Sequence, residues 1–285
     1  MDIVSIYKHF PSQNDCIEYL EQVRWNHNPQ CPCCKSHNQT PMPNEHRYHC
    51  NNCNTSYSVT VGTIFHKTKL DLQKWFLAIT LILNAKKGVS ARQLSRDLEV
   101  NKNTAWYMGM RIRHAMIEEK ELLNGFVEID ETYIGGKPRK GDGKEHKRGR
   151  GTDKTPVVGM AERGGKVFAK VHKKLDSKNL AHLVREHVNI RNATIVTDEY
   201  SGYVRLKLFS NHMVINHQKS YAEGEIHTNT IEGFWALLKR GIVGQYHKVS
   251  VRYLNRYICE FCYRYNNRKI EDLFGVTIQK AVGII

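Results

Sequence analysis

The chain has 285 residues, with 43 Lys+Arg against 28 Asp+Glu, a formal net charge of +15. Hydrophobic residues make up 40% and charged residues 25%, which excludes a disordered chain and fits roughly two globular domains at about 100–200 residues each. The most apolar stretch, Trp75 to Leu83, falls far short of the roughly 20 residues a membrane span needs, and MDIVSIYKHFPSQNDC lacks the apolar segment of a secretion signal, so no membrane partner is expected.

Residues 1–30 read as a short helical lead-in around Ile17, Leu20 and Val23. Next come Cys31-x-x-Cys34 and Cys50-x-x-Cys53, with fifteen residues between the pairs. Two such knuckles can set four thiolates tetrahedrally around one structural Zn²⁺, whose binding supplies folding energy. Cys33, His46 and His49 are alternative ligands by position. A disulfide framework fits poorly with the missing secretion signal. Tyr57–Phe65 reads as the last strand of this ribbon.

A helix over about Leu72–Lys87 is expected, with Trp75, Phe76, Ile79, Ile82 and Leu83 on one face and Gly88 ending it. Ser90-Ala-Arg-Gln93 is a capping-box pattern for a second helix through Leu98. A turn over Glu99–Asn101 leads to a third helix from Lys102, N-capped by Asn101. Two short helices joined by a three-residue turn suit a helix-turn-helix. Its second helix would offer Lys102, Asn103, Thr104, Arg111 and Arg113 to base edges and phosphates. The bland alternative is a packing unit that touches nothing.

From Phe126 the pattern turns to strands: Phe126–Ile134, Pro156–Ala161 and Val167–Val171, the last two joined by Arg163-Gly-Gly-Lys166. A helix over Asp176–Val188, a buried parallel-type strand over Ala193–Thr197 and a short strand over Met213–Ile215 follow. Thr230–Lys239 and Tyr253–Tyr265 read as helices. Cys259 and Cys262 lie on the apolar face of the latter and read as core. The layer is a mixed α/β sheet.

Charge is uneven: residues 1–125 carry 15 basic and 11 acidic side chains, net +4, and residues 126–285 carry 28 and 17, net +11. Residues 137–154 alone hold eight basic and three acidic side chains. That segment, glycine-rich and nearly without apolar residues, cannot pack into a core. It is expected to be a basic loop meeting phosphates through Lys140, Lys147, Arg148 and Arg150, or else a solvated linker.

Three acids stand out. Asp130 lies inside an apolar strand and shares a face with Glu128, while Glu131 points the other way. A buried acid needs a partner or a metal. Asp198 ends a strand at its carboxyl end, where α/β sheets place ligands. Glu232 lies opposite the stripe Ile231, Phe234, Trp235 and Leu238, on a face with Asn229, Ala236 and Lys239. Carboxylates converging at the top of a sheet can hold Mg²⁺ or Mn²⁺ for phosphoryl transfer, with Lys239 taking a substrate phosphate and Arg240 a further DNA contact.

The motifs VEIDETYIGG at 127–136, IVTDEYSGY at 195–203, HTNTIEGFWALLKRGIVGQYHKVS at 227–250 and RYNNR at 264–268 resemble those of DDE transposases. The chain is most similar to zinc-ribbon insertion-sequence transposases of bacteria, relatives of Merlin elements (the ISXO-like group). Asp130, Asp198 and an acid 34 residues later in Glu-x₆-Lys form match that family's signature. The resemblance implies a ribonuclease-H-like core, metal held by Asp130, Asp198 and Glu232, hydrolysis at element ends, and joining of the 3′-hydroxyls to target DNA. Some relatives use Asn in place of the glutamate, which leaves Asn229 as an alternative third ligand. It also implies DNA as partner, a homodimer or larger assembly on DNA, and a cytoplasmic, nucleoid-associated protein. The expected organisation is a lead-in and ribbon over 1–66, a helix-turn-helix over 67–124 and a catalytic domain over 125–285 with a basic loop at 137–155. A nuclease on the same fold that never joins strands, and a retired transposase acting as a DNA-binding regulator, are the competing readings.

Overall fold

The computed structural model describes residues 1–136, 152–215 and 227–283. Of the expected basic loop, Lys140, Lys147, Arg148 and Arg150 lie outside the described residues. The chain forms two compact units, Met1–Met116 with the chain from Lys269 onward, and Ile117–Arg268. The helix over Leu273–Gly283 therefore belongs with the amino-terminal unit rather than with the helix that precedes it in the chain.

In the first unit, α1 (Ile3–His9) and α2 (Gln13–Trp25) precede a three-stranded antiparallel sheet of β1 (Gln39–Met42), β2 (Arg47–Cys50) and β3 (Ser56–Tyr57). Ser12 and Asp15 form a reciprocal capping box that starts α2. The strand expected over Tyr57–Phe65 ends at Tyr57, and turns replace the rest. There the side chains compete with the ladder: Thr63 Oγ1 donates to Thr60 O, Phe65 N donates to Thr63 Oγ1, and Gly62 takes a φ of +75°. Arg24 fixes the turn by donating to the carbonyls of Val59 and Val61.

Helices α3 (Leu72–Asn84), α4 (Ala91–Asp97), α5 (Lys102–Ala115) and α9 (Leu273–Gly283) complete the unit. Ser90 and Asn101 cap α4 and α5 by accepting from Gln93 N and Asn103 N. Helix α3 stops at Asn84, three residues earlier than its apolar pattern suggested. The core is aromatic. Phe10, Tyr19, Phe76 and Phe274 meet with ring centroids 4.9–6.4 Å apart, so the last ring, from α9, closes a cluster begun at residue 10.

The second unit is a five-stranded sheet in the order β6-β5-β4-β7-β8, from β4 (Leu123–Ile134), β5 (Thr155–Glu162), β6 (Val167–Val171), β7 (Val188–Thr197) and β8 (Asn211–Val214). The first three run antiparallel as a meander, while β7 and β8 lie parallel to β4. A crossover through α6 (Ser177–His187), capped by Asp176, makes the β4–β7 pairing parallel. On one face of β4, Val127 and Ile129 pack with Leu180, Leu183 and Val184 of α6. The other face is covered by α7 (Asn229–Gly241), and α8 (Val251–Asn266) packs on β6.

The RYNNR segment has a structural task here. Asn266 Oδ1 accepts from Val167 N and its Nδ2 donates to Val167 O, so one side-chain amide occupies both backbone groups on the open edge of β6. Glu118 accepts from Asn266 and Asn267. Cys262 is buried on α8, as its apolar neighbours implied.

Phe274 is 1% exposed, so Phe274→Ala should destabilise the first unit by about 3–5 kcal/mol. Denaturant unfolding followed by tryptophan fluorescence reads this well, because Trp25, Trp75 and Trp106 lie in that unit. An unshifted transition would show that α9 does not close this core.

Candidate active site and metal centre

The cysteine site is built from two matching knuckles. Cys31 N donates to Ser36 O and Lys35 N to Cys31 O; Cys50 N donates to Thr55 O and Asn54 N to Cys50 O. Lys35 and Asn54, each following the second cysteine of its pair, take φ of +61° and +54° and turn the chain back. The sulfurs of Cys31, Cys34, Cys50 and Cys53 all lie within 4.8 Å of one another. Cys31 and Cys53 are 3.6 Å apart and Cys34 and Cys50 3.5 Å, against roughly 3.8 Å for the edge of a tetrahedron with Zn–S bonds of about 2.3 Å. Four thiols at that spacing suit Zn²⁺. Cys33, His46 and His49 stand outside the group, and His49 Nδ1 faces Ser56 Oγ instead. Trp25, Tyr48 and Tyr57 pack around the cluster.

In the second unit the sheet register sets the acids. Ile129 pairs with Thr197 across the parallel β4–β7 ladder, so Asp130, inside β4, and Asp198, just past the end of β7, each follow that pair on neighbouring strands. The Asp130 carboxyl is pushed up to about 7, first by burial, then by the charge of Glu131, then by that of Asp198. Trp235 Nε1 donates to Asp130 Oδ2 at 3.0 Å and partly opposes that rise. Asp198 Oδ1 accepts from Tyr200 N at 3.1 Å. Glu131 points to the opposite face, as alternation requires, and accepts from the buried Tyr203 hydroxyl.

Trp235 reaches Asp130 because of a glycine. Gly159 is the β5 partner of Asp130, and a Cβ there would lie 2.5 Å from the Trp235 ring and 2.9 Å from Ile231. The bare backbone lets the indole lie against the strand. Glu232 is exposed on α7, and its Oε1 accepts from Thr228 Oγ1 at 2.8 Å. Asn229, Lys239 and Arg240 are also exposed on this helix. Asp130 and Asp198 are thus brought together. Among the described residues, however, the three acids Asp130, Asp198 and Glu232 are not gathered to the mutual 4.8 Å spacing of the cysteines. A pair of neighbouring carboxyls, one of them penalised for its charge by burial and like charge, is a donor set that a divalent cation would satisfy.

The expected DNA contacts divide. Lys102 and Asn103 are exposed in the first turn of α5 and Thr104 is half-buried. Arg111 instead donates to the carbonyls of Ile64 and His66 and stacks on Tyr107, and Arg113 is only 4% exposed. Arg113 is thus packed inside the unit, while Arg111, half-buried, spends one guanidinium nitrogen on loop carbonyls.

Sequence reasoning missed Glu128, Arg163 and Trp235 as parts of this site. Glu128 is fully buried, yet its only sequence signal is an acid on the same strand face as Asp130. Gly159, a glycine inside an apolar strand, was a readable sign of close approach.

A family model for an ISXO2-like transposase domain matches residues 122–266, and one for a transposase zinc-ribbon domain matches residues 11–56. A protein of Halobacterium salinarum, described as an uncharacterized protein in transposable element ISH50, is 29% identical over 249 residues, covering 82% of this chain and 84% of its own. Among solved structures, the Mos1 strand transfer complex aligns at 14% identity with a TM-score of 0.29, over 73% of this chain and 75% of that one. A pre-cleavage Mos1 transpososome aligns at 14% identity with a TM-score of 0.28, over 72% and 77%.

Two outcomes follow from the geometry. Cys50→Ser should abolish zinc retention measured by metal analysis and open residues 31–57 to protease while the second unit stays resistant; retained zinc would remove Cys50 from the ligand set. For Asp130, the folded state keeps its proton to about pH 7 whereas an unfolded carboxyl releases it near 3.8. Its contribution to stability is therefore full below about pH 4 and is lost as pH rises towards 7. In Mg²⁺-free buffer, Asp130→Asn should flatten the fall in melting temperature across that window. An identical pH profile in both proteins would contradict the shift.

Proposed function

This chain belongs to the ISXO2-like transposase family, and on that premise we propose that it is a DDE-type enzyme that cuts and joins DNA at a metal site built on Asp130, Asp198 and Glu232. The observation that carries this reading is the β4–β7 register, in which Asp130 and Asp198 each follow the pair Ile129–Thr197 and the charge of Asp198 reaches the Asp130 carboxyl. The antiparallel meander extended by two parallel strands supports a ribonuclease-H-like core.

Asp130 and Asp198 are the metal-holding pair, and Glu232, carried by the helix on the same sheet face, is the third ligand. A bound Mg²⁺ or Mn²⁺ supplies charge stabilisation to the attacking and leaving oxygens of phosphoryl transfer. Trp235 orients Asp130, and Thr228 orients Glu232. Water attacks the phosphodiester at each element end and leaves a 3′-hydroxyl. That hydroxyl then attacks a target phosphodiester, displacing a strand oxygen and joining the DNAs. Lys239, two helical turns beyond Glu232 on the exposed face, neutralises a substrate phosphate, with Arg240 beside it. Asn229, one turn before Glu232, supports the third ligand rather than replacing it.

Helices α4 and α5, with the exposed Lys102 and Asn103 at the start of α5, are read as a helix-turn-helix that binds the element ends. Two ends must be paired for joining, which calls for a homodimer or larger assembly on DNA. The site of action is the nucleoid in the cytoplasm. Among the described residues no helix is long and apolar enough to cross a membrane.

The test incubates zinc-loaded protein with Mg²⁺ or Mn²⁺ and labelled DNA from both flanks of its gene. Wild type should give cut and joined products, while Asp130→Asn and Asp198→Asn should bind the same DNA and yield none. Full activity in Asp130→Asn would end this assignment. Cleavage without joining would favour a nuclease, and binding alone in every protein a regulator.

A further inference from the structure

We propose that Glu128 is a positioning residue for this reaction: its carboxylate on β4 caps the start of α7 and thereby sets where Glu232 stands relative to Asp130 and Asp198. The inference rests on the metal-site reading above.

A helix leaves its first backbone N–H groups without intrahelical partners. Helix α7 does not satisfy them locally, because its N-cap residue, Thr228, makes no side-chain bond to them and turns its hydroxyl to Glu232 instead. Glu128, about a hundred residues earlier, takes the role. Its Oε2 accepts from Thr230 N at 2.7 Å and Ile231 N at 3.0 Å. Its Oε1 accepts from Thr230 Oγ1 at 3.0 Å and Arg163 Nε at 2.7 Å. His227 Nδ1 lies 3.2 Å from the same oxygen, outside hydrogen-bonding geometry. Arg163 closes the frame, donating through Nη2 to His227 O at 2.8 Å, just before the helix begins.

Geometry makes this a setting device rather than a general anchor. Glu128 is 0% exposed and two residues from Asp130 on one strand face, so helix anchor and metal ligand share a rigid ladder. One helical turn beyond Ile231, Trp235 ties α7 to Asp130 itself. Glu232 is held between these two ties. A negative charge at a helix N-terminus is favoured by the helix dipole, and Arg163 offsets the desolvation of the buried carboxylate. Glutamine has the same size but carries an amide nitrogen where one oxygen accepts, so one donor in the ring would face another donor. The start of α7 must then shift or splay, and Glu232 with it.

The test measures Mn²⁺ binding by the electron paramagnetic resonance of the free ion, on zinc-loaded protein without DNA. Glu128→Gln should weaken Mn²⁺ binding roughly tenfold, as for other groups that orient metal ligands. In a Glu232→Ala background the same change should add less than about twofold, because the ligand it positions is gone. If Glu128→Gln does not fold by circular dichroism, Thr230→Val carries the test. It removes one hydroxyl donor from Glu128 and should weaken binding about threefold, again only with Glu232 present. Unchanged Mn²⁺ affinity in the folded variant, or an equal loss with and without Glu232, would overturn the positioning role. Wild-type Mn²⁺ affinity in Asp130→Asn would bring down the metal site itself, a separate result.

Discussion

The catalytic unit turns on how one strand carries two acids into an apolar layer. Glu128 and Asp130 occupy the same face of β4, and burial penalises the charge of both. They are treated differently. Glu128 is met by an arginine, a hydroxyl and the amides of a helix start. Asp130 receives the Glu131 backbone N–H and one indole N–H, against burial and two like-charged neighbours, Glu131 and Asp198. The first acid is thereby completed by the fold, and the second is left in need of positive charge. The position of α7, the opening at Gly159 and the orientation of Trp235 all follow from keeping that contrast within one residue pair of the ladder.

The amino-terminal unit solves another problem, that of ordering short elements. Its strands are two to four residues long and cannot bury much surface. Four thiols spaced for a Zn²⁺ that would tie them together, and a few large rings, take that part instead: Trp25, Tyr48 and Tyr57 around the cysteines, and Phe10, Tyr19, Phe76 and Phe274 in the helical part. Arginines are drawn into this framework. Arg24 and Arg111 each bind a pair of loop carbonyls, so chain segments without secondary structure still have their backbone acceptors satisfied.

What the sequence disclosed and what it hid divide along the range of the interactions. Ser90 and Asn101 cap their helices as their local patterns require, and the stripe Ile231, Phe234, Trp235, Leu238 faces the sheet as its period demands. The cysteine spacing gave the metal group directly. The strand over Tyr57–Phe65 was misread because threonines suit strands by composition, and only their bonds to nearby backbone show that they make turns. The packing of Arg113 was not legible, because charge is visible in a sequence and burial is not. The role of Glu128 depends on partners about a hundred residues away, which no local pattern reports.

The return of α9 to the amino-terminal unit has a consequence in time. Phe274 lies in a core otherwise assembled from residues made first, so during synthesis the ribbon and helices emerge with that core unfinished. At about 5–20 residues per second, the ribosome takes roughly ten to thirty seconds to reach α9 after completing α5. The intervening sheet, whose elements are contiguous in the chain, can close in that interval. The amino-terminal unit then matures last although it is translated first, and a chain truncated after its catalytic motifs would display the ribbon on an incomplete helical base.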